Sequence, residues 1–194
     1  MTYILCTDCE TSGFKFKQNQ LLSVGFIVAD ADTFEPFATK YLEIQFDDKK
    51  YLWSESAQDC HGLSQTYLKA NGLSRSDAAI EIYEFLNEYF PECFDDFLDE
   101  NIKTKRKIKV LGANTDFDVQ FIRHFLLEFQ IPFPYHHILL DIQGVFYGLF
   151  NIYKTEDIFN QLEYEKRGNH DALNDAFYTL EAFKFINDLV KGGL

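Results

Sequence analysis

The sequence predicts an α/β fold, a mixed central sheet with helices packed on its faces. Three observations carry that prediction. The opening of the chain holds three strand-like runs joined by short connections, which suggests an antiparallel meander. The remainder alternates helix-periodic stretches with short apolar runs, the pattern of helices laid against a sheet. A length of 194 residues, with no internal repeat, suits one domain with a substantial core.

The strand runs are Tyr3 to Cys9, Leu21 to Ala29, and Lys40 to Phe46, the last alternating Leu42, Ile44 and Phe46 against Tyr41, Glu43 and Gln45. A helix is predicted from Ser76 to Phe90, with Ala79, Ile82, Tyr83, Leu86 and Phe90 on one face. Pro91 is read as ending it. The acidic stretch Glu92 to Glu100 and the basic stretch behind it then form an excursion at 92–107 inside one domain spanning 1–194. Ile108 to Ala113 reads as a buried strand, Phe117 to Phe129 as a helix, and Ile138 to Leu140 as a short strand. Asp141 is placed to cap a helix reaching Phe150. A final helix from Asp171 to Val190 buries Leu173, Phe177, Leu180, Phe183 and Ile186.

Composition narrows the function classes. No apolar run is long enough for a membrane span, and the N-terminus reads directly into a strand, so a soluble, intracellular (cytoplasmic) protein with no membrane partner is expected. Cys6, Cys9, Cys60 and Cys93 do not make a disulfide framework at this length. Cys6 and Cys9, three apart on a strand, face opposite sides and read as structural thiols. A net charge of −13 argues against tight, non-specific wrapping of nucleic acid. It leaves room for an enzyme that holds a few nucleotides at an acidic, metal-binding site.

Three short acidic segments point to such a site: Asp8-Cys9-Glu10-Thr11-Ser12-Gly13, Asn114-Thr115-Asp116-Phe117-Asp118, and His170-Asp171-Ala172-Leu173-Asn174-Asp175. Residues two apart on a strand share a face, so Asp8 and Glu10 offer two carboxylates to one point. Carboxylates arriving from several elements suit Mg²⁺ or Mn²⁺, which take oxygen ligands and leave positions for water and phosphate. Phosphodiester hydrolysis is the natural use of such a site. His170, whose ordinary pKa lies near neutrality, is suited to take the proton from the attacking water. Each segment alone is weak evidence, because short acidic patterns are most often solvated surface.

In this order and on these elements the segments resemble the three motifs of the DEDDh 3′→5′ exonucleases, the DnaQ-like superfamily with a ribonuclease H-like fold. Asp8 through Phe14, followed by Leu21-Leu22-Ser23-Val24-Gly25, is similar to the opening of the ribonuclease T branch. His61-Gly62-Leu63 resembles a His-Gly-Ile element of the wider superfamily. The resemblance implies a metal-dependent 3′→5′ exonuclease that releases nucleoside monophosphates from DNA or RNA. It implies that Asp8, Glu10, Asp118 and Asp175 hold two Mg²⁺ or Mn²⁺ ions and that His170 is the general base. Thr11, Gly13, Phe14 and Asn114 would approach the substrate, a single-stranded 3′ end, with Asn114 either orienting its motif or serving as a turn residue. Asp116 and Asp171 are then not ligands: Asp116 is expected to cap its helix, and Asp171 to favour the dipole of the last one.

The scarce basic residues are expected to flank the proposed site: Lys15 and Lys17 follow the first motif, Lys103 to Lys109 precedes the second, and Lys166-Arg167 precedes the third. The run at 103–109 reads either as a solvated loop balanced by neighbouring acids or as a contact to substrate phosphates. A catalytically silent nucleic-acid-binding or protein-interaction module on the same fold is the rival reading, and a homodimer is open.

Overall fold

The computed structural model describes residues 2–101, 103, 105–163 and 170–193. One five-stranded sheet contains β1 Tyr3–Thr11, β2 Leu21–Asp30, β3 Pro36–Glu43, β4 Val110–Gly112 and β5 Leu140–Asp141, in the order β3-β2-β1-β4-β5. The first three strands form the expected antiparallel meander, while β4 pairs parallel to β1 and β5 parallel to β4. The described helices are α1 Glu55–His61, α2 Gln65–Asn71, α3 Arg75–Tyr89, α4 Pro91–Leu98, α5 Thr115–Leu127, α6 Ile142–Phe150, α7 Thr155–Gln161 and α8 Ala172–Lys191.

Strand alternation sorts the core onto two faces. Leu5 and Cys9 of β1 join Val24, Phe26 and Val28 of β2 beneath α3, α4 and α5. Ile4 and Cys6 join Ile27 and Ala29 beneath α6, α7 and α8. Asp8 and Glu10 continue the second parity, so they point to the face covered by α8. Cys6 and Cys9 therefore do lie on opposite faces, and the described cysteines are all free thiols.

Several boundaries differ from the sequence reading, each for a local reason. β3 runs from Pro36 to Glu43 rather than to Phe46; Pro is tolerated at the first residue of an edge strand, and past Glu43 the Ile44 N–H still donates to the Leu22 carbonyl of β2 while Ile44 bridges to Leu73. Pro91 ends α3 but also starts α4, where its missing N–H costs nothing. Much of the acidic excursion is thus a helix that buries Cys93, Phe94 and Asp96. The last helix buries Leu180 and Phe183 as expected, whereas Phe177 is 43% exposed.

The basic run lies far from the acidic motifs in space. The Leu5 N–H donates to the Lys109 carbonyl, and β4 runs parallel to β1 from there. Residues 105–109 therefore enter the sheet at the end opposite Glu10 and Asp118. Arg106 is held by Asp96 through two side-chain bonds of 2.8 and 2.9 Å, and Lys105 and Lys107 lie over the Phe97 ring. This placement favours the balanced, solvated loop and corrects the expectation that the run flanks the site. Lys166-Arg167 falls outside the described residues.

Gly25 sets the height of α8. A β-carbon there would stand 2.5 Å from the Ala172 carbonyl oxygen and from the Leu173 backbone. Gly25→Ala is expected to lower unfolding free energy by about 1–3 kcal/mol, the usual cost of overpacking. Gly144→Ala, at a helical glycine with nothing within 4 Å, should instead add roughly 0.5–1 kcal/mol. Urea denaturation of both variants checks the pair.

Candidate metal centre

Three elements deliver the acidic residues to one end of the sheet. In the β1–β2 register Asp8 lies opposite Gly25, and Glu10 opposite Ser23. Because α8 presses onto Gly25, its first turn carries Asp175 over that same stretch of β1. Asp171 caps this helix by accepting the Asn174 N–H at 3.0 Å, a role beyond the expected charge–dipole effect. His170, just outside the helix, is anchored by its N–H to the Cys60 carbonyl at 3.3 Å.

Asp118 comes from the other face, in the first turn of α5. Its Oδ1 accepts the Cys9 N–H at 3.0 Å, stapling α5 to β1 between the two strand carboxylates. The start of α5 is held in turn by Asp141, whose Oδ2 accepts the Thr115 N–H at 2.9 Å while its Oδ1 caps α6. The expected cap at Asp116 is not formed: the cap residue is Asn114, at φ 58°, with no side-chain cap bond. Asn tolerates this left-handed conformation, which is the turn reading of Asn114. Asp116 lies in the first turn, two residues past the cap, and accepts from Gln120.

Glu10, His170 and Asp175 converge with ligand atoms within 4.8 Å of one another. His170 Nδ1 is 3.1 Å from Asp175 Oδ2. Asp8 and Asp118 are not members of that group. Carboxylates aimed at one point repel, and two ions 3.5–4 Å apart need donors spread over both. The donor set nonetheless fits a hard divalent cation, because Asp118 is 2% exposed and its Oδ2 has no hydrogen-bond partner among the described residues.

Burial pushes the Asp118 carboxyl up to about 8, with the Glu10 charge adding to the rise and the hydrogen bonds from Cys9 opposing it. Burial and the Asp118 and Asp8 charges likewise raise the Cys9 and Cys6 thiols, which keeps them unreactive. His61 ends α1 with 4% exposure, and burial lowers its pKa. Its Nδ1 accepts the Leu63 N–H at 3.0 Å and its ring meets Trp53 edge-on.

The proposed substrate residues are distributed unevenly. Thr11 is buried and its hydroxyl donates to the Gly13 carbonyl. Gly13 has φ 150°, which favours glycine. Phe14 is 81% exposed, its ring edge meeting Phe117, whereas Phe16 packs on Phe121 and His124. Sequence reasoning missed Asn19, the Cys60 carbonyl and the hold of Asp141 on Thr115, since Asn19, Cys60 and Asp141 all lie outside the acidic motifs.

The solved structures that resemble the chain share this architecture. Escherichia coli Exonuclease I in complex with a dT13 oligonucleotide matches with a TM-score of 0.74 and 18% identity, over 96% of this chain and 41% of that one. The fold is ribonuclease H-like. The zinc-bound form of the Escherichia coli Exonuclease I–ssDNA complex matches with a TM-score of 0.76 and 18% identity, over 99% of this chain and 42% of that one. The chain thus spans about two fifths of the Exonuclease I chains it matches. In sequence it is 28% identical to the 3′-5′ DNA exonuclease Cap18 of Escherichia coli across 186 residues, 94% of this chain and 90% of that protein. No family model matches the chain.

The buried Asp118 gives a signed pH dependence. Its folded-state pKa stands above the ordinary 3.8, so the fold holds its proton more tightly than the unfolded chain does. Stability is fully present below the ordinary value, falls as pH rises from there, and reaches its low plateau above about 8. In chelator-treated protein, Asp118→Asn should remove that slope, so that its melting temperature relative to the parent rises between pH 5 and pH 9. A pH-independent difference would contradict the assignment.

Proposed function

We propose that the chain is a metal-dependent 3′→5′ exonuclease that shortens single-stranded DNA and releases nucleoside monophosphates. The observation that carries this reading is the convergence of Glu10, His170 and Asp175, at a strand end shared with Asp8 and the buried Asp118. Similarity to a 3′-5′ DNA exonuclease over 94% of the chain supports the reaction. The single-stranded DNA in the Exonuclease I complexes supports the substrate, within a likeness that by itself concerns the fold. The ribonuclease T branch rests on the opening motif alone, which makes RNA the second substrate to test. We read the chain as one exonuclease domain whose site residues all come from a single copy.

Asp8, Glu10, Asp118 and Asp175 would hold two Mg²⁺ or Mn²⁺ ions, which supply a water of lowered pKa and positive charge facing the phosphate and the departing oxygen. His170 takes the proton from the attacking water. With Nδ1 turned to Asp175, the carboxylate orients the ring and Nε2 is the basic nitrogen. The exposed Phe14 ring offers a face to the terminal base, and Lys15 and Lys17 put positive charge on the same loop. Thr11, committed to Gly13, shapes that loop, and its strand-end backbone faces the terminal nucleotide.

Asp118→Asn is expected to abolish release of nucleotides from a 5′-labelled oligonucleotide, while Asp116→Asn retains most of it. Equal loss in two folded variants would move the ligand assignment. His170→Ala should lower turnover by roughly 10²–10⁴-fold and leave metal-dependent binding of the oligonucleotide intact. Parent activity should climb as pH rises through the imidazole range, because neutral imidazole is the active form. Binding without any cleavage by the parent protein would favour the silent module.

A further inference from the structure

Among the buried side chains that tie the base of the loop displaying Phe14, Asn19 makes three bonds to backbone groups. Asn19, 8% exposed, donates from Nδ2 to the Ser12 carbonyl at 3.1 Å and to the Leu52 carbonyl at 3.0 Å. Its Oδ1 accepts the Lys15 N–H at 3.0 Å. Both amide protons and one oxygen lone pair are therefore used. The same carboxamide lies where a Gly13 β-carbon would stand, with atoms 2.6–2.9 Å from that point. Gly13 and Asn19 thus fit only as a pair.

The two carbonyls that Asn19 grips are themselves fixed. Ser12 is fully buried; its carbonyl also accepts the Ser54 N–H, and its hydroxyl donates to Leu52 and accepts the Gln20 N–H. Leu52 follows Tyr51, whose hydroxyl donates to Glu128 at the far end of α5 and accepts from Arg75 at the start of α3. Between these anchors only Phe14, Lys15, Lys17 and Gln18 reach solvent freely. A ring that is 81% exposed has little packing of its own to hold it, so its position depends on the backbone beneath.

We infer that Asn19 is a positioning residue for substrate recognition: its carboxamide holds the Gly13–Gln18 loop so that Phe14 is preset for the terminal base. The inference rests on the exonuclease reading for what Phe14 touches, and on the hydrogen bonds alone for the clamp. Preordering the loop before binding lowers the entropy lost when substrate arrives. Its signature is therefore in KM and not in kcat.

A double-mutant cycle with Asn19→Ala and Phe14→Ala on 5′-labelled single-stranded DNA in Mn²⁺ tests this. Each single change should raise KM by roughly 5- to 150-fold, the range one stacked base is worth, with kcat within about twofold. The double variant should be no worse than Phe14→Ala. Hydrogen exchange of the amides at 13–18 should be at least about tenfold faster in Asn19→Ala and unchanged in Phe14→Ala. Asn19→Ser, a milder loss of reach, should fall between parent and Asn19→Ala in both readouts. Additive losses, a fall in kcat equal to the rise in KM, unchanged exchange, or loss of cooperative unfolding in both Asn19 variants would overturn the proposal. Parent protein that cleaves no nucleic acid would sink the exonuclease reading alone, because the exchange measurement decides the clamp without turnover.

Discussion

The site depends on a contact made possible by a missing side chain. At Gly25 the sheet lets the backbone of α8 descend until a β-carbon would be 2.5 Å from it. Gly25 lies directly across from Asp8 in the β1–β2 register. The helix that carries Asp175, with His170 just ahead of it, is thereby pressed onto the stretch of strand that carries Asp8 and Glu10. Asp118 is fixed separately, by the Cys9 N–H from the strand and by Asp141 acting on the start of α5. Two helices on opposite faces are thus referred to one strand end.

Gathering carboxylates costs free energy, and the fold offsets part of it. Asp118 and Asp175 both occupy first turns of helices, where unsatisfied N–H groups and the dipole favour negative charge. For Asp118 this is insufficient, and burial still raises its carboxyl to about 8. On the proposed reading, a group held in that condition would exchange its proton for a cation.

Much of this was legible in the sequence, because periodicity reports burial and the acidic motifs report chemistry. The meander, α3, α5 and α8 follow from apolar spacing, and the start of α6 from the capping residue Asp141. Helices α1, α2 and α7, of seven residues each, are too short for a periodic signal to separate from loop. Helix α4 was hidden by Pro91, which reads as a terminator and is also a favoured first helical residue. The resemblance singled out Phe14 and not Phe16, and the surroundings that β1 and α5 create leave the first exposed and the second packed. The basic run at 103–109 misled for a related reason: nearness in sequence to the second motif is distance in space once a strand intervenes. Nothing in the composition of the chain singled out Asn19, whose role exists only through three backbone groups brought to it by folding.

The proposed chemistry requires that these acidic segments form a divalent-cation site that hydrolyses nucleic acid from the 3′ end. Incubation of the purified protein with 5′-labelled single-stranded DNA and RNA, free or blocked at the 3′ end, with Mg²⁺, Mn²⁺ or chelator, measures it most directly. The expected result is a ladder of progressively shortened 5′-labelled DNA only with a free 3′ end and a divalent ion, and nucleoside monophosphates as the released product. Undiminished shortening in chelator, internal cleavage of the blocked strand, or no shortening with either ion would contradict it.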